Sequence, residues 1–220
     1  MILCAGEALI DMLPRLSDRG EPAFAPVPGG AVFNTAIALG RLGAPTAFLC
    51  GLSRDLFGAR LAGTLAEAGV DHALCPRSDR PTTLAFVTLT EGQARYAFYD
   101  ENTALWALTE ADLPALPDAV QALFLGCISL ASEPCGTAFE ALCARAGDRV
   151  VMLDPNPRPG FARDEGAYRA RLARMIARAD IVKLSDEDLA WLFPGQTEAA
   201  ALAALRAAGP ALVFVTRGAA

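Results

Sequence analysis

Histidine and lysine are almost missing from this chain: His72 and Lys183 are the single examples among 220 residues. A histidine-based catalytic triad would have to use His72, and a His-rich metal site is impossible. Lys183 stands in "IVKLSDED" with no glycine before it, so the phosphate loop G-x-x-x-x-G-K-[ST] is absent. No G-x-G-x-x-G follows the first apolar run, which removes a nicotinamide-binding Rossmann enzyme. Positive charge is also short. Lys and Arg total 19 against 25 Asp and Glu, for a net charge of −6, which argues against nucleic acid or an anionic membrane surface as partner. No apolar run approaches the ~20 residues of a membrane span. The six cysteines, Cys4, Cys50, Cys75, Cys127, Cys135 and Cys143, form no C-x-x-C pair and lie in or beside apolar runs. They read as buried small hydrophobes in a reducing cytoplasm. The start, "MILCAGEALID", lacks the basic stretch and small-residue cleavage site of a signal peptide and reads as a strand.

What is present is apolar and regularly ordered. With 53% hydrophobic residues the chain can bury a substantial core, and one domain, with room for a small appendage, is expected. Short apolar runs, "ILCAG", "TAFLC", "ALFLGCIS", "VVMLDPN", "IVKL" and "ALVFVT", alternate with segments of helical spacing such as "NTAIALGRLG" and "DLFGARLAGTLAEAG". Gly43 and Gly69 are positioned to stop those two helices. Further helices are expected over about 134–146, in "YRARLARMIARA", in "DEDLAWLF" and in "TEAAALAALRAAG". In "YRARLARMIARA" the arginines are expected to form a solvated face, with Tyr168, Leu172, Met175 and Ile176 inward. Strand–helix alternation with near-continuous apolar strands predicts α/β architecture: a parallel sheet covered on both faces.

One region breaks that rhythm. "TTLAFVTLTEGQARYAFYD" alternates like two arms of a β-hairpin turning at Glu91-Gly92-Gln93, with no helix to follow. With "IDMLPRL" and "PAFAPV" it could build a small separate sheet, so lid strands are expected from about 12–27 and 82–100.

Ligands of parallel α/β sheets bind at the carboxyl ends of the strands. "GEALID" places Glu7 and Asp11 there. "DPNPRPG" places Asp154, Asn156 and Arg158 between stiffening prolines, and "SDED" and "TRG" follow the last two strands. Each has a structural reading of its own. Asp154-Pro155-Asn156 makes a good turn, "SDED" an acidic helix start, and Asn34 a helix cap. Their convergence on one edge points to a pocket for a polar ligand. "PGGAVFNTAIALGRLG" adds paired glycines before a helix, which let another molecule approach the backbone.

"PGGAVFNTAIALGRLG", followed by "GLSRDLFG", resembles the first signature of the ribokinase (PfkB) family of carbohydrate kinases. "GEALIDMLPR", "DPNPRPG" and "VKLSDEDL" are most similar to its fructokinase branch, and the likeness runs in order through residues 1–220. It implies a ribokinase-like three-layer α/β/α, Rossmann-like sheet with a small β-sheet lid, and a kinase using ATP and Mg²⁺ on a ketose such as fructose. By resemblance Asp11, Gly29, Gly30 and Asn34 would hold the sugar, with Tyr96 and Phe98 of the lid hairpin covering it and excluding water. Arg158 would lie near the transferred phosphate or an acidic substrate group. Ser185, Thr216 and Gly218 would belong to the nucleotide side, and Asp188 would help organise the metal indirectly.

Two departures qualify this. The family's Asn-x-x-Glu reads Ser185-Asp186-Glu187-Asp188 here, one methylene shorter at its acid. The sequence also stops at "VFVTRGAA", before the Gly-Ala-Gly-Asp segment that carries the family's anion hole and base aspartate. That base is expected beyond Ala220, the C-terminal part of the fold is expected to be missing, and the 220 residues are expected to be inactive alone. The alternatives are a 2-keto-3-deoxygluconate kinase, with Arg158 pairing a sugar-acid carboxylate, and a non-catalytic sugar-binding protein. A homodimer through the open lid sheet is a further expectation.

Overall fold

The computed structural model describes residues 1–90 and 93–218. In chain order the strands are β1 (Ile2–Ala5), β2 (Leu9–Leu16), β3 (Pro22–Gly29), β4 (Thr46–Leu49), β5 (Leu52–Ser53), β6 (Val70–Asp71), β7 (Arg77–Ser78), β8 (Leu84–Thr90), β9 (Gln93–Tyr99), β10 (Ala122–Gly126), β11 (Val150–Asp154), β12 (Ile181–Ser185) and β13 (Leu212–Thr216). The helices are α1 (Ala31–Arg41), α2 (Leu56–Glu67), α3 (Cys135–Ala144), α4 (Glu165–Arg178), α5 (Asp186–Leu192) and α6 (Glu198–Ala207).

Seven strands form one parallel sheet in the order β13-β12-β11-β10-β1-β4-β6. From β1 the chain winds one way to β4 and β6, and from β10 the other way to β13. Right-handed crossovers therefore put α1 and α2 on one face and α3 to α6 on the other. The order reverses between β1 and β10, so a crevice opens at their carboxyl ends. The central strands are apolar throughout, and Leu3, Cys4, Ala5, Leu123, Leu125, Val151 and Leu153 are fully buried. That is the expected α/β/α sandwich. Among the described residues no helix is long and apolar enough to cross a membrane.

β3, β2, β8 and β9 make a second, four-stranded sheet that stands apart from the first. Its strands cover the expected stretches and extend to Leu9 and Gly29 at their base. Of the expected hairpin turn, Glu91 and Gly92 lie outside the described residues. All six cysteines are buried and unbridged. Gly43 and Gly69 take positive φ (79° and 72°) just after α1 and α2, as helix-stopping residues should.

Two local readings change. Helix α1 starts at Ala31, so Asn34 lies inside its first turn and the cap position is Gly30, whose backbone is far from helical. Asn34 caps nothing. Second, the arginines of α4 are not all solvated. Arg171 is 5% exposed, paired with Glu133 and donating to the Leu130 carbonyl at 2.8 Å. A buried guanidinium needs such partners, and α3 and the loop before it supply them. The apolar strand β13 lacks helices over one face, as its sequence leads one to expect: Leu212 and Phe214 are each 53% exposed there.

Candidate functional site

The crevice is built from strand ends. β1 runs into Gly6 and Glu7, and Glu7 turns its side chain down to the start of α1, where its Oε1 accepts the Val32 N–H at 3.1 Å. Two glycines make this approach possible. A Cβ on Gly6 would sit 2.5 Å from the Val32 side chain, and one on Gly30 (φ 112°) would sit 2.7 Å from the Glu7 carbonyl oxygen. Gly29 has a different neighbour: a Cβ there would overlap the Asp11 carboxylate. The paired glycines are thus required by Glu7 on one side and Asp11 on the other.

Cross-strand pairing sets what Asp11 faces. Val27 on β3, Asp11 on β2, Ala85 on β8 and Phe98 on β9 are directly opposite one another and share one face of the lid sheet. Three strand spacings make this row ~14 Å long. Tyr96, two residues from Phe98, is on the same face and stacks on it at 5.9 Å. The other face carries Phe24, Phe86 and Tyr99 in edge-to-face contact. Burial pushes the Asp11 carboxyl above its ordinary value.

The Phe98 end of the row opens into a cavity of about 720 Å³, lined among others by Asp100, Trp106, Ser132, Phe161 and Tyr168. Phe161, from the loop after β11, meets Phe98 edge-on at 4.7 Å. Trp106 donates its indole N–H to Asp100 at 3.1 Å. The other end of the row behaves differently. The Asn34 side chain lies with Val27, Arg41, Arg60 and Thr64 in a separate groove of about 550 Å³ between α1 and α2. Asp11 stands between these two openings. Of the residues expected to hold a sugar, Phe98 alone lines the larger cavity.

At the ends of β10 and β11 two residues other than glycine take positive φ, Cys127 (64°) and Asn156 (34°). Such conformations persist where surroundings enforce them, and they cluster at sites. Asn156 donates its side-chain amide to the Cys127 sulfur at 3.1 Å. Next to it the Lys183 ammonium reaches Asp154 at 3.0 Å, bridging β12 and β11. Burial raises the Asp154 carboxyl, with the Lys183 contact opposing. Arg158 is exposed, with one guanidinium N–H donated to the Pro157 carbonyl at 2.8 Å.

Ser185 and Asp188 cap α5 reciprocally. The Ser185 hydroxyl accepts the Asp188 N–H at 3.0 Å, and Asp188 Oδ2 accepts the Ser185 N–H at 2.9 Å. This is a capping box closed by a shorter acid than usual. Asp188 is 7% exposed and has spent one oxygen on the cap. Thr216 ends β13 beside it, and Gly218 takes positive φ (59°) just beyond. Among the described residues, no group of three His, Cys, Asp or Glu side chains could hold a metal.

Sequence reasoning places Glu7 at this edge without giving it a task and reads Trp106 as a core or rim residue, which is where it lies; it passes over Phe161. "GEALID" showed an acid after a strand, but only the fold shows that it turns inward. Phe161 carried no signal, since its contact spans 63 positions.

Comparison with known proteins follows the same lines. The family model of the pfkB family carbohydrate kinases matches residues 1–220. A fructokinase of Rhizobium leguminosarum bv. trifolii is 56% identical over 221 residues, covering all of this chain and 68% of that protein. Fructokinase from Xylella fastidiosa, solved with bound ATP, superposes with a TM-score of 0.87 at 30% identity, over 100% of this chain and 72% of that one. A double mutant of Vibrio cholerae O395 fructokinase, solved with fructose, ADP and potassium, gives 0.87 at 28% identity, over 99% and 70%. Among matching proteins the share spanned by this chain falls to 53%.

Proposed function

The chain belongs to the pfkB family of carbohydrate kinases, and we propose that it forms the sugar-holding part of an ATP-dependent fructokinase. The observation that carries this reading is the row Val27-Asp11-Ala85-Phe98. It sets a half-buried carboxylate on the same lid face as aromatic rings two strands away, and the Phe98 end of that row opens into the cavity. A carboxylate accepts hydrogen bonds from two sugar hydroxyls at once, and aromatic faces cover the apolar side of a sugar ring.

The roles follow from position. Asp11 accepts hydroxyls of the bound ketose, and the Gly29–Gly30 turn brings backbone amides close to it. Phe98 and Tyr96 exclude water, which would otherwise compete with the sugar hydroxyl as acceptor of the phosphoryl group. Arg158, exposed at the loop after β11, meets the phosphoryl charge, and transfer depends mainly on such positioning and electrostatics. Asn34 has to rotate out of its own groove to join them. Ser185, Thr216 and Gly218 border the nucleotide at the other end of the sheet.

Asp188, with one carboxylate oxygen outside the cap, would help hold Mg²⁺ indirectly, and the nucleotide phosphates would supply most of its ligands. Bound Mg²⁺ would neutralise charge on the phosphates. The 220 residues contain no Gly-Ala-Gly-Asp segment, and no proton acceptor is assigned among them. The reading extends to a cytoplasmic enzyme that pairs through its lid sheets, which expose Leu16, Phe24 and Tyr99 at 74%, 43% and 64%.

Isothermal titration of the chain with fructose, 2-keto-3-deoxygluconate and ribose tests this. Fructose should bind, and Asp11→Ala should abolish the heat. Binding of the sugar acid alone would overturn the fructokinase reading in favour of the 2-keto-3-deoxygluconate kinase.

A further inference from the structure

Glu7 is the most deeply buried acid of the crevice, at 1% exposure, and the mechanism above gives it no part. It lies where the strand order reverses, with β1 on its own side and β10 on the other. Its Oε1 holds the Val32 N–H, and the Ala31 N–H lies close by. Its Oε2 is buried without a hydrogen-bond partner. The thiol of Cys127 faces the carboxyl from the end of β10, and Asn156 from the end of β11 holds that same sulfur. Three adjacent strand ends are therefore joined by one run of polar side chains, through two residues in left-handed conformation.

A carboxylate at a helix start is ordinarily a local cap, supplied by the residue just before the helix. Here that residue is Gly30, which has no side chain, and the acceptor comes from 25 residues upstream. The cap thus connects the sheet to the helix and fixes the glycine turn between them. Gly30 packs so closely on the Glu7 backbone that a Cβ there would lie 2.7 Å from the Glu7 carbonyl oxygen.

We propose that Glu7 is a positioning residue for the sugar site: it locks the Gly29–Gly30 turn to the end of β1 and, through Cys127 and Asn156, to the loop that carries Arg158. This rests on the sugar-kinase reading for what the turn binds, but not for the lock itself. Loss of the lock frees the first turn of α1 and lets Asp11 and the turn amides drift apart.

Amide hydrogen exchange and fructose titration on the same variants separate the two. Glu7→Met keeps the volume and removes the acceptor, whereas Glu7→Gln keeps an oxygen for Val32. Exchange at Val32 should speed up about tenfold in E7M, the order expected for a lost buried hydrogen bond, with core strands β1 and β10 unchanged. In E7Q it should return to within about twofold of the parent. Fructose should bind about tenfold more weakly to E7M and nearly normally to E7Q. If E7M does not fold, Glu7→Asp replaces it, since the shorter arm withdraws from Val32 while keeping the charge. Unchanged Val32 exchange in the acceptor-removing variant overturns the lock. Faster exchange with undiminished fructose affinity overturns its role at the site. A parent chain that binds no fructose counts against the fructokinase reading, and Val32 exchange then decides the lock alone.

Discussion

The burial of Glu7 makes a prediction about pH whose size can be worked out. Burial pushes its carboxyl from an ordinary 4.5 up to about 7, against the opposing pull of backbone N–H groups at Glu7, Val32 and Ala31. In the unfolded chain the group titrates near its ordinary value. Between about pH 4.5 and 7 the native state therefore holds a proton that the unfolded state has released. Stability must fall as pH rises through this window, being fully present below it and lost above about 7. At ~1.36 kcal/mol per pH unit, the span from 4.5 to about 7 amounts to ~3 kcal/mol, an upper figure. Asp11 and Asp154 are raised by burial too and slope the same way. The informative quantity is therefore the difference between the parent chain and Glu7→Gln, which cannot titrate. The thiols that face Glu7, those of Cys50, Cys127 and Cys135, are themselves pushed up by burial and stay neutral throughout the window. The assay is urea unfolding of both chains at pH 5, 6, 7 and 8, each fitted to two states. The stability of E7Q relative to the parent should improve by ~2–3 kcal/mol between pH 5 and 8. A difference that stays flat across those four pH values refutes the reasoning, because Glu7 would then titrate alike in both states.

Two further outcomes follow from the same geometry. Gly30→Ala meets both a positive φ of 112° and a carbonyl oxygen 2.7 Å from the new Cβ. It should lower stability by about 2–4 kcal/mol, read as a shift in urea midpoint, whereas Gly20→Ala, with open space around it, should cost about 1 kcal/mol. Phe214→Lys on the uncovered face of β13 removes half-exposed apolar surface. It should reduce association of the 220-residue chain in light scattering without lowering its melting temperature by more than a degree or two.

Much of the fold was legible because it rests on short-range rules. Apolar runs of strand length, separated by segments of helical spacing, require a parallel sheet with helices on both faces. Gly43 and Gly69 end their helices through their own backbone freedom, which no distant contact needs to supply. The lid strands were legible through period-two alternation, and "SDED" as a helix start through its cap and charge pattern. Arg171 was misread for the opposite reason. Spacing on a helix says which side a residue is on, but Glu133 and the Leu130 carbonyl, which make that side tolerable to a guanidinium, lie 38 and 41 positions away.

The order of residues alone therefore determined the architecture and the edge of the sheet at which polar groups gather. Those depend on periodicity, turn chemistry and motif spacing, which are local quantities. Tertiary structure decided the rest. Strand pairing put Asp11 and Phe98 on one face, two strands apart. Close packing around glycine turned Glu7 down onto Val32 rather than out to solvent, and gave Asn34 a groove of its own. Each of these outcomes depends on which distant segment occupies the space next to a side chain, and that is settled only when the sheet has closed.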